Sequence, residues 1–185
     1  IAAGTANFLQ QAAMTETQCT QALAIGKQAV ENALAQGCDL FIAGEMGIAN
    51  TTSATAVAAA LLSIKPESIT GRGTGIDDKT LRHKINVIEQ ALAHHNLLTP
   101  HPSPITVLQT VGGFEIAAIA GAYIAAAQAG LPILVDGFIT SAAALVAVKH
   151  NPSVRDWMLF AHASAEPGHA TMMQALAAKP LLDLG

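Results

Sequence analysis

Charge is scarce in this chain. Only 12% of its 185 residues are Asp, Glu, Lys or Arg, and 13 acids against 9 bases leave a formal net charge of −4. Binding to duplex nucleic acid needs a clustered basic footprint, and no such cluster of Lys and Arg exists here, so no nucleic-acid partner is expected. Long apolar runs are missing too. The longest, Ile116 to Ala127, holds about a dozen residues, short of the roughly 18 to 20 that span a bilayer. No membrane partner is therefore expected. The two cysteines, Cys19 and Cys38, lack CxxC spacing; they read as small buried hydrophobes and give no sign of an oxidising compartment. No basic stretch followed by an apolar one opens the chain, so no signal peptide is visible and a cytoplasmic location is expected. Familiar signatures are absent as well. Gly71-Arg72-Gly73-Thr74-Gly75-Ile76 fails G-x-G-x-x-G at its last position, which weakens a dinucleotide oxidoreductase reading. No G-x-x-x-x-G-K-[ST] loop occurs, the histidines form no H-E-x-x-H, and no metal site is expected. His94 and His95, being adjacent, cannot share a helix face and read as surface residues.

Apolar material is abundant instead. Hydrophobic residues make up 51% of the chain, and its mean hydropathy is +0.41. About a fifth of the chain is alanine, far above ordinary usage, which lets helices pack closely on a sheet. Thr15-Glu16-Thr17-Gln18 has the spacing of a capping box. It opens a helix whose apolar positions run from Cys19 through Ala22, Gly26 and Val30 to Leu34, with Gly37 ending it. Leu40 to Ala43 reads as a buried parallel strand and Thr51 to Leu62 as a helix. Ser68-Ile69-Thr70 reads as a short strand. Asp77 or Asp78 can cap a helix bearing Leu81, Ile85, Ile88 and Leu92. Ser103-Pro104 can start a short helix, with Pro at the first helical position. Gly112-Gly113 precedes an alanine-rich helix from Phe114 to Ala129. Leu131 to Val135 and Met158 to Ala161 read as strands, with helices following from Thr140 to Lys149 and through Ala178. Strands alternating with helices argue for one α/β domain over residues 1–185, a parallel sheet covered by helices on both faces.

Four times, then, a strand candidate runs into a polar, glycine-bearing loop and a helix. Ligands of such sheets bind outside the carboxyl ends of the strands, where helix N-termini offer free N–H groups to phosphate. The loops supply Glu45, Gly47, Asn50, Thr51 and Thr52; Gly71, Arg72, Gly73 and Thr74; Asp136 and Gly137; and Ser164, Glu166, Gly168 and His169. A nucleotide monophosphate pocket needs this mixture of small residues, hydroxyls and a few charges. Glu45, between strand and helix, is either a cap or a catalytic or sugar-binding carboxylate, and the second reading is the better one. Lys84 flanks the apolar stripe of its helix, as a snorkelling lysine or as a ligand-facing one.

Five segments resemble, in order, the signature loops of the nicotinate-nucleotide–dimethylbenzimidazole phosphoribosyltransferases. They are Gly44-Glu45-Met46-Gly47-Ile48-Ala49-Asn50-Thr51-Thr52, Thr70 to Asp78, Val111-Gly112-Gly113-Phe114-Glu115-Ile116-Ala117-Ala118, Val135-Asp136-Gly137-Phe138 and Ser164-Ala165-Glu166-Pro167-Gly168-His169. Ala49 departs from the pattern, which has Gly there.

The resemblance implies transfer of phosphoribose from nicotinate mononucleotide to 5,6-dimethylbenzimidazole, giving α-ribazole 5′-phosphate and nicotinate with inversion at the anomeric carbon. This is a step in assembling the lower ligand of cobalamin. It implies no cofactor and a homodimer. It places phosphate near the Gly71–Thr74 and Ser164–Gly168 loops, Asp136 and Gly137 beside the nucleotide, and Glu45 with Lys84 as an ion-paired or hydrogen-bonded couple at the reaction centre. The family's general base is a glutamate in a Gly-Glu-Gly-Thr-Gly-like segment after the stretch matching Pro180 to Gly185. The chain is accordingly expected to be a fragment lacking most of the smaller lobe. It should leave apolar surface uncovered, and alone be inactive or slower by about 10²- to 10⁴-fold. The competing reading is a non-catalytic nucleotide-binding protein that kept the phosphate loops.

Overall fold

The computed structural model describes residues 1–73 and 75–183. Thr15 and Gln18 close the capping box: Gln18 N–H donates to Thr15 Oγ1 at 3.2 Å, and Thr15 N–H to Gln18 Oε1 at 2.9 Å. Helix α1 (Glu16–Ala35) follows and turns Cys19, Ala22, Gly26 and Val30 inward. Gly37 leaves it at φ +78°, a left-handed conformation that glycine takes without a steric penalty. Asp77 accepts from Thr80 N–H and caps α3 (Asp78–His94). Ser103 caps α4 (Pro104–Val111), whose first residue is the expected proline.

Four short strands form one parallel sheet in the order β1 (Phe41–Ala43), β2 (Ile133–Val135), β3 (Met158–His162) and β4 (Pro180–Leu182). The register sets Phe41 beside Ile133, Ile133 beside Met158, and Phe160 beside Pro180. Side chains alternate across a strand, so Ile133, Val135, Met158 and Phe160 share one face. They are buried beneath α5 (Phe114–Gln128) and α6 (Phe138–His150). Helix α2 (Thr51–Leu62) lies deeper still. Every residue from Ala54 to Leu61 is buried, in contact with α3, α4, α6 and α7 (Pro167–Ala175). A helix that is apolar nearly all round, as this one is, belongs inside rather than at a surface.

The α/β class, the parallel strands and the flanking helices are as the sequence predicts, but several local readings are corrected. Covering of the sheet is unequal: on the face opposite α5 and α6, Ile42 is 54%, Leu159 50% and Leu181 60% exposed. The strand at Leu40 to Ala43 is consequently not buried; β1 pairs with β2 alone and forms the sheet's edge. Ser68-Ile69-Thr70 is no strand. Pro66 starts a 3₁₀ turn (Pro66–Ser68), and the Thr70 hydroxyl and N–H both turn back to the Pro66 carbonyl at 2.6 and 2.9 Å. β4 was not foreseen. It begins with proline, which sheets accept at strand starts and edges, and three residues are too few to show alternation. Helix α7 stops at Ala175 rather than Ala178, because Ala177 turns left-handed at φ +47°. Cys19 is buried as expected, but Cys38 is exposed. His95 is half-buried, its Nε2 2.7 Å from the Phe8 carbonyl oxygen. Among the described residues no helix is long and apolar enough to cross a membrane.

Candidate active site

Parallel strands all end at one edge, and there the loops after β1, β2 and β3 meet the N-termini of α2, α6 and α7. Two adjoining clefts open at that edge. The first, about 200 Å³, is lined by Glu45, Met46, Gly47, Thr51, Gly73, Gly137, Phe138, Ile139, Thr140 and Glu166. The second, about 290 Å³, shares Gly47, Thr51 and Gly73 and adds Ala49, Thr52, Arg72, Ile76, Thr80, His83, Lys84 and Val87. Helix α2 opens onto both clefts through Thr51 and has no side-chain cap. Its first N–H groups remain available to an anion.

Lys84 is the hub. It is only 8% exposed, and its Nζ donates to Thr51 Oγ1 at 2.7 Å and to the Gly71 carbonyl at 3.1 Å. Burial pushes its ammonium below the ordinary lysine range, while the negative charge of Glu166 pulls it back up. Lys84 therefore does not snorkel to solvent; its ammonium is held inside the wall of the second cleft. The couple with Glu45 is not realised. Glu45 accepts from the Gly47 N–H in its own loop, and the acid that Lys84 senses is Glu166. Glu166 Oε2 is buried without a hydrogen-bond partner. It lies so close to Gly71 that a β-carbon there would stand 1.7 Å from it. Glycine at 71 is what lets this loop and that carboxylate meet.

The remaining candidates divide. Gly47 and Gly73 take positive φ, +80° and +54°. Arg72 lines the second cleft, but its guanidinium is occupied by the Asp78 carboxylate and by the Ile76 carbonyl at 2.8 Å. Asn50 donates from Nδ2 to Glu115 Oε1 at 3.2 Å, leaving its own Oδ1 buried and unpartnered. Asp136 turns toward His162 Nδ1 at 3.9 Å, while its neighbour Gly137 lines the first cleft. Ser164 and Gly168 line neither cleft. Gly168 packs on the Ile69 backbone, where a β-carbon would lie 2.8 Å from the carbonyl oxygen. Thr74 lies outside the described residues. Residues not foreseen are Met46, Phe138, Ile139 and Thr140 in the first cleft and Thr80, His83 and Val87 in the second. Thr80, His83, Lys84 and Val87 fall at i, i+3, i+4 and i+7 on α3, a helix face legible in the sequence once Lys84 is granted a ligand.

Ala49, the departure from the signature loop, sits left-handed at φ +67° in the wall of the second cleft. A β-carbon there costs roughly 1–2 kcal/mol, and glycine's extra unfolded-state freedom offsets about 0.5–1 kcal/mol of any relief. Ala49→Gly should therefore stabilise the fold by about 0.5–1 kcal/mol. A lowered urea midpoint would contradict the strain.

Comparison with known proteins adds an independent line. The DBI_PRT family model, described as a phosphoribosyltransferase, matches residues 1–185. The nicotinate-nucleotide–dimethylbenzimidazole phosphoribosyltransferase of Azotobacter vinelandii is 56% identical over 182 residues, which are 98% of this chain and 51% of that one. The enzyme of the same name from Pseudomonas putida is 56% identical over 185 residues, all of this chain and 52% of the relative. The crystal structure of CobT from Thermus thermophilus superposes with a TM-score of 0.91 at 46% identity, covering 97% of this chain and 53% of that one. The chain thus spans about half the length of the curated relatives it matches. On the match over its whole length and on the close superposition, this chain belongs to the DBI_PRT phosphoribosyltransferase family.

Proposed function

We propose that the protein transfers the phosphoribosyl group of nicotinate mononucleotide to 5,6-dimethylbenzimidazole, forming α-ribazole 5′-phosphate and nicotinate in cobalamin lower-ligand assembly. The observation that carries this reading is the buried Lys84 ammonium, bonded to Thr51 and Gly71 in the wall of the second cleft, beside a first cleft lined by the Glu45 and Glu166 carboxylates. In the donor the nicotinate ring is an N-alkylated pyridinium. As the N–C1′ bond breaks, its electron pair returns to the ring nitrogen and cancels that positive charge. The lone pair of one benzimidazole nitrogen forms the new bond to C1′ from the opposite face, which inverts the centre. The proton on the other nitrogen then passes to a base. Positive charge builds on the sugar between these events, and fixed carboxylates beside it stabilise that charge. Lys84 and the free N–H groups of α2 suit the phosphate, with Gly73 beside it and Gly137 along the nucleotide. Glu45, which lines the first cleft, is the carboxylate assigned to the reacting centre in this reading.

The test is chromatography after incubating both substrates with the protein at its natural length. α-Ribazole phosphate and nicotinate should form in equal amounts. Binding of nicotinate mononucleotide without any product would transfer the assignment to a non-catalytic nucleotide-binding protein. The same reading makes the protein a cytoplasmic homodimer, and sedimentation at micromolar concentration checks the assembly; a monomer there would remove it.

A further inference from the structure

The chemistry above makes no use of His169, a buried ionisable side chain beside the site. It lies in the first turn of α7 and is 2% exposed. Both ring nitrogens are engaged. Nδ1 accepts the Ser164 backbone N–H at 3.1 Å, and Nε2 lies 3.3 Å from Ser141 Oγ on α6. A backbone amide can only donate, so Nδ1 carries no proton. In the neutral ring the proton is then on Nε2, which donates to the serine hydroxyl. The loop that His169 holds is closed on itself. Glu166 N–H donates to Ser164 Oγ at 3.3 Å, and His169 N–H donates to the Glu166 carbonyl at 2.9 Å. Ser164, Glu166 and His169 thereby form a ring of three hydrogen bonds, tied to α6 by Ser141. From that ring the Glu166 side chain reaches the first cleft, where Oε2 is buried with no donor of its own.

We propose that His169 is a positioning residue: its neutral ring bolts the Ser164–Glu166 loop to α6 and so holds the Glu166 carboxylate in the cleft as a fixed acceptor. The inference rests on reading this cleft as the nucleotide site, but the geometry of the bolt does not. A second proton on the ring would take Nδ1 from acceptor to donor and set it against the Ser164 N–H. The loop is therefore released in acid. The titratable group acting on His169 is His162 on β3, with Asp136 beside it at the end of β2; Glu166 on its own loop is instead coupled to Lys84 of α3. Burial holds the ring below the ordinary imidazole range, and His162 acts the same way. The unfolded chain takes up that proton first. The stability contributed by the neutral ring is thus complete above the ordinary histidine value and lost as pH falls through the folded one.

The experiment uses the protein at its natural length, wild type and with His169→Leu, His169→Asn and Ser141→Ala. Nitrogen-15 spectra at neutral pH should show the His169 Nδ1 unprotonated and Nε2 protonated. The Ser164 and Glu166 amides should exchange with solvent at least about tenfold faster in His169→Leu than in wild type. A displaced Glu166 should raise KM for nicotinate mononucleotide by roughly ten- to a hundredfold, with a smaller change in kcat. His169→Asn, which keeps an acceptor near Nδ1, should recover most of that loss, and Ser141→Ala should fall between. An Nδ1-protonated tautomer in the wild type would overturn the proposal. So would a folded His169→Leu with wild-type amide exchange. If His169→Leu does not fold, the wild-type tautomer and His169→Asn decide. If wild-type protein does not bind nicotinate mononucleotide, the functional reading falls, while the tautomer and the exchange rates still judge His169.

Discussion

Gly26→Val is expected to lower the thermal midpoint by about 10–15 °C, the consequence of a loss of roughly 3–5 kcal/mol in a chain of this size. Helices α1 and α5 touch backbone to backbone. A β-carbon at Gly26 would lie 1.7 Å from the Ala118 carbonyl oxygen and 2.6 Å from the Ala122 nitrogen. From the other side, a β-carbon at Gly121 would lie 2.2 Å from the Leu23 carbonyl oxygen. Neither neighbour is a flexible side-chain tip that can swing away, so the helices must separate along their length. Overpacking a well-filled core usually costs about 1–3 kcal/mol, and a contact between two rigid backbones belongs at or above the top of that range. The injury should reach the site. The first turn of α5 carries Glu115, whose carboxylate holds Asn50 at the start of α2, and α2 presents Thr51 to both clefts. Gly4→Ala is the control, since no heavy atom lies within 4 Å of a β-carbon there; its midpoint should stay within about a degree of wild type. An unchanged midpoint for Gly26→Val would mean that α1 and α5 are not in this contact.

What the sequence disclosed and what it withheld follow one physical line. Elements with local chemistry at their ends were readable: Thr15 with Gln18 starts α1, Asp77 caps α3, and Ser103-Pro104 opens α4. Each signal needs only neighbours in the chain. The body of α2 was equally plain as a helix, yet its burial on all sides was not, because that depends on which elements surround it. Edge strands failed for the same reason. Nothing in Leu40-Phe41-Ile42-Ala43 says that a partner strand is present on one side only. The site shows the same division. Glycine-bearing loops marked the sheet edge at which the clefts open, and Glu45, Gly47, Thr51, Gly73, Gly137 and Glu166 do converge there. The pairing inside it was not legible. Choosing Glu166 over Glu45 as the neighbour of Lys84 depends on Gly71 admitting a carboxylate from a segment far along the chain. His169, too, acquires its role only from Ser141 and the Ser164 amide.

Lys84→Met should reduce kcat/KM for nicotinate mononucleotide by roughly a hundred- to a thousandfold in the protein at its natural length. That is the usual cost of deleting one preorganised electrostatic group from an active site. Methionine keeps most of the length and bulk of lysine, so the loss would report charge rather than a cavity. Lys84→Arg should rescue poorly. The ammonium makes two bonds from one atom, to Thr51 Oγ1 and to the Gly71 carbonyl, and a planar fork cannot reproduce that compact geometry. The pH dependence carries the sharper test. Burial lowers the pKa of Lys84 and Glu166 raises it again. If the charged form serves the reaction, activity falls as pH rises through that depressed value. Stability runs the opposite way. The folded state sheds this proton before the unfolded chain does, so the charged group's burden on the fold lightens as pH climbs from the folded value toward the unfolded one. Glu166→Gln removes the negative charge that raises the pKa, and must therefore move the alkaline limb of kcat/KM to lower pH. A limb that stays in place in Glu166→Gln would show that the titrating group is not Lys84. A Lys84→Met enzyme with wild-type kcat/KM would remove the ammonium from the site's chemistry altogether.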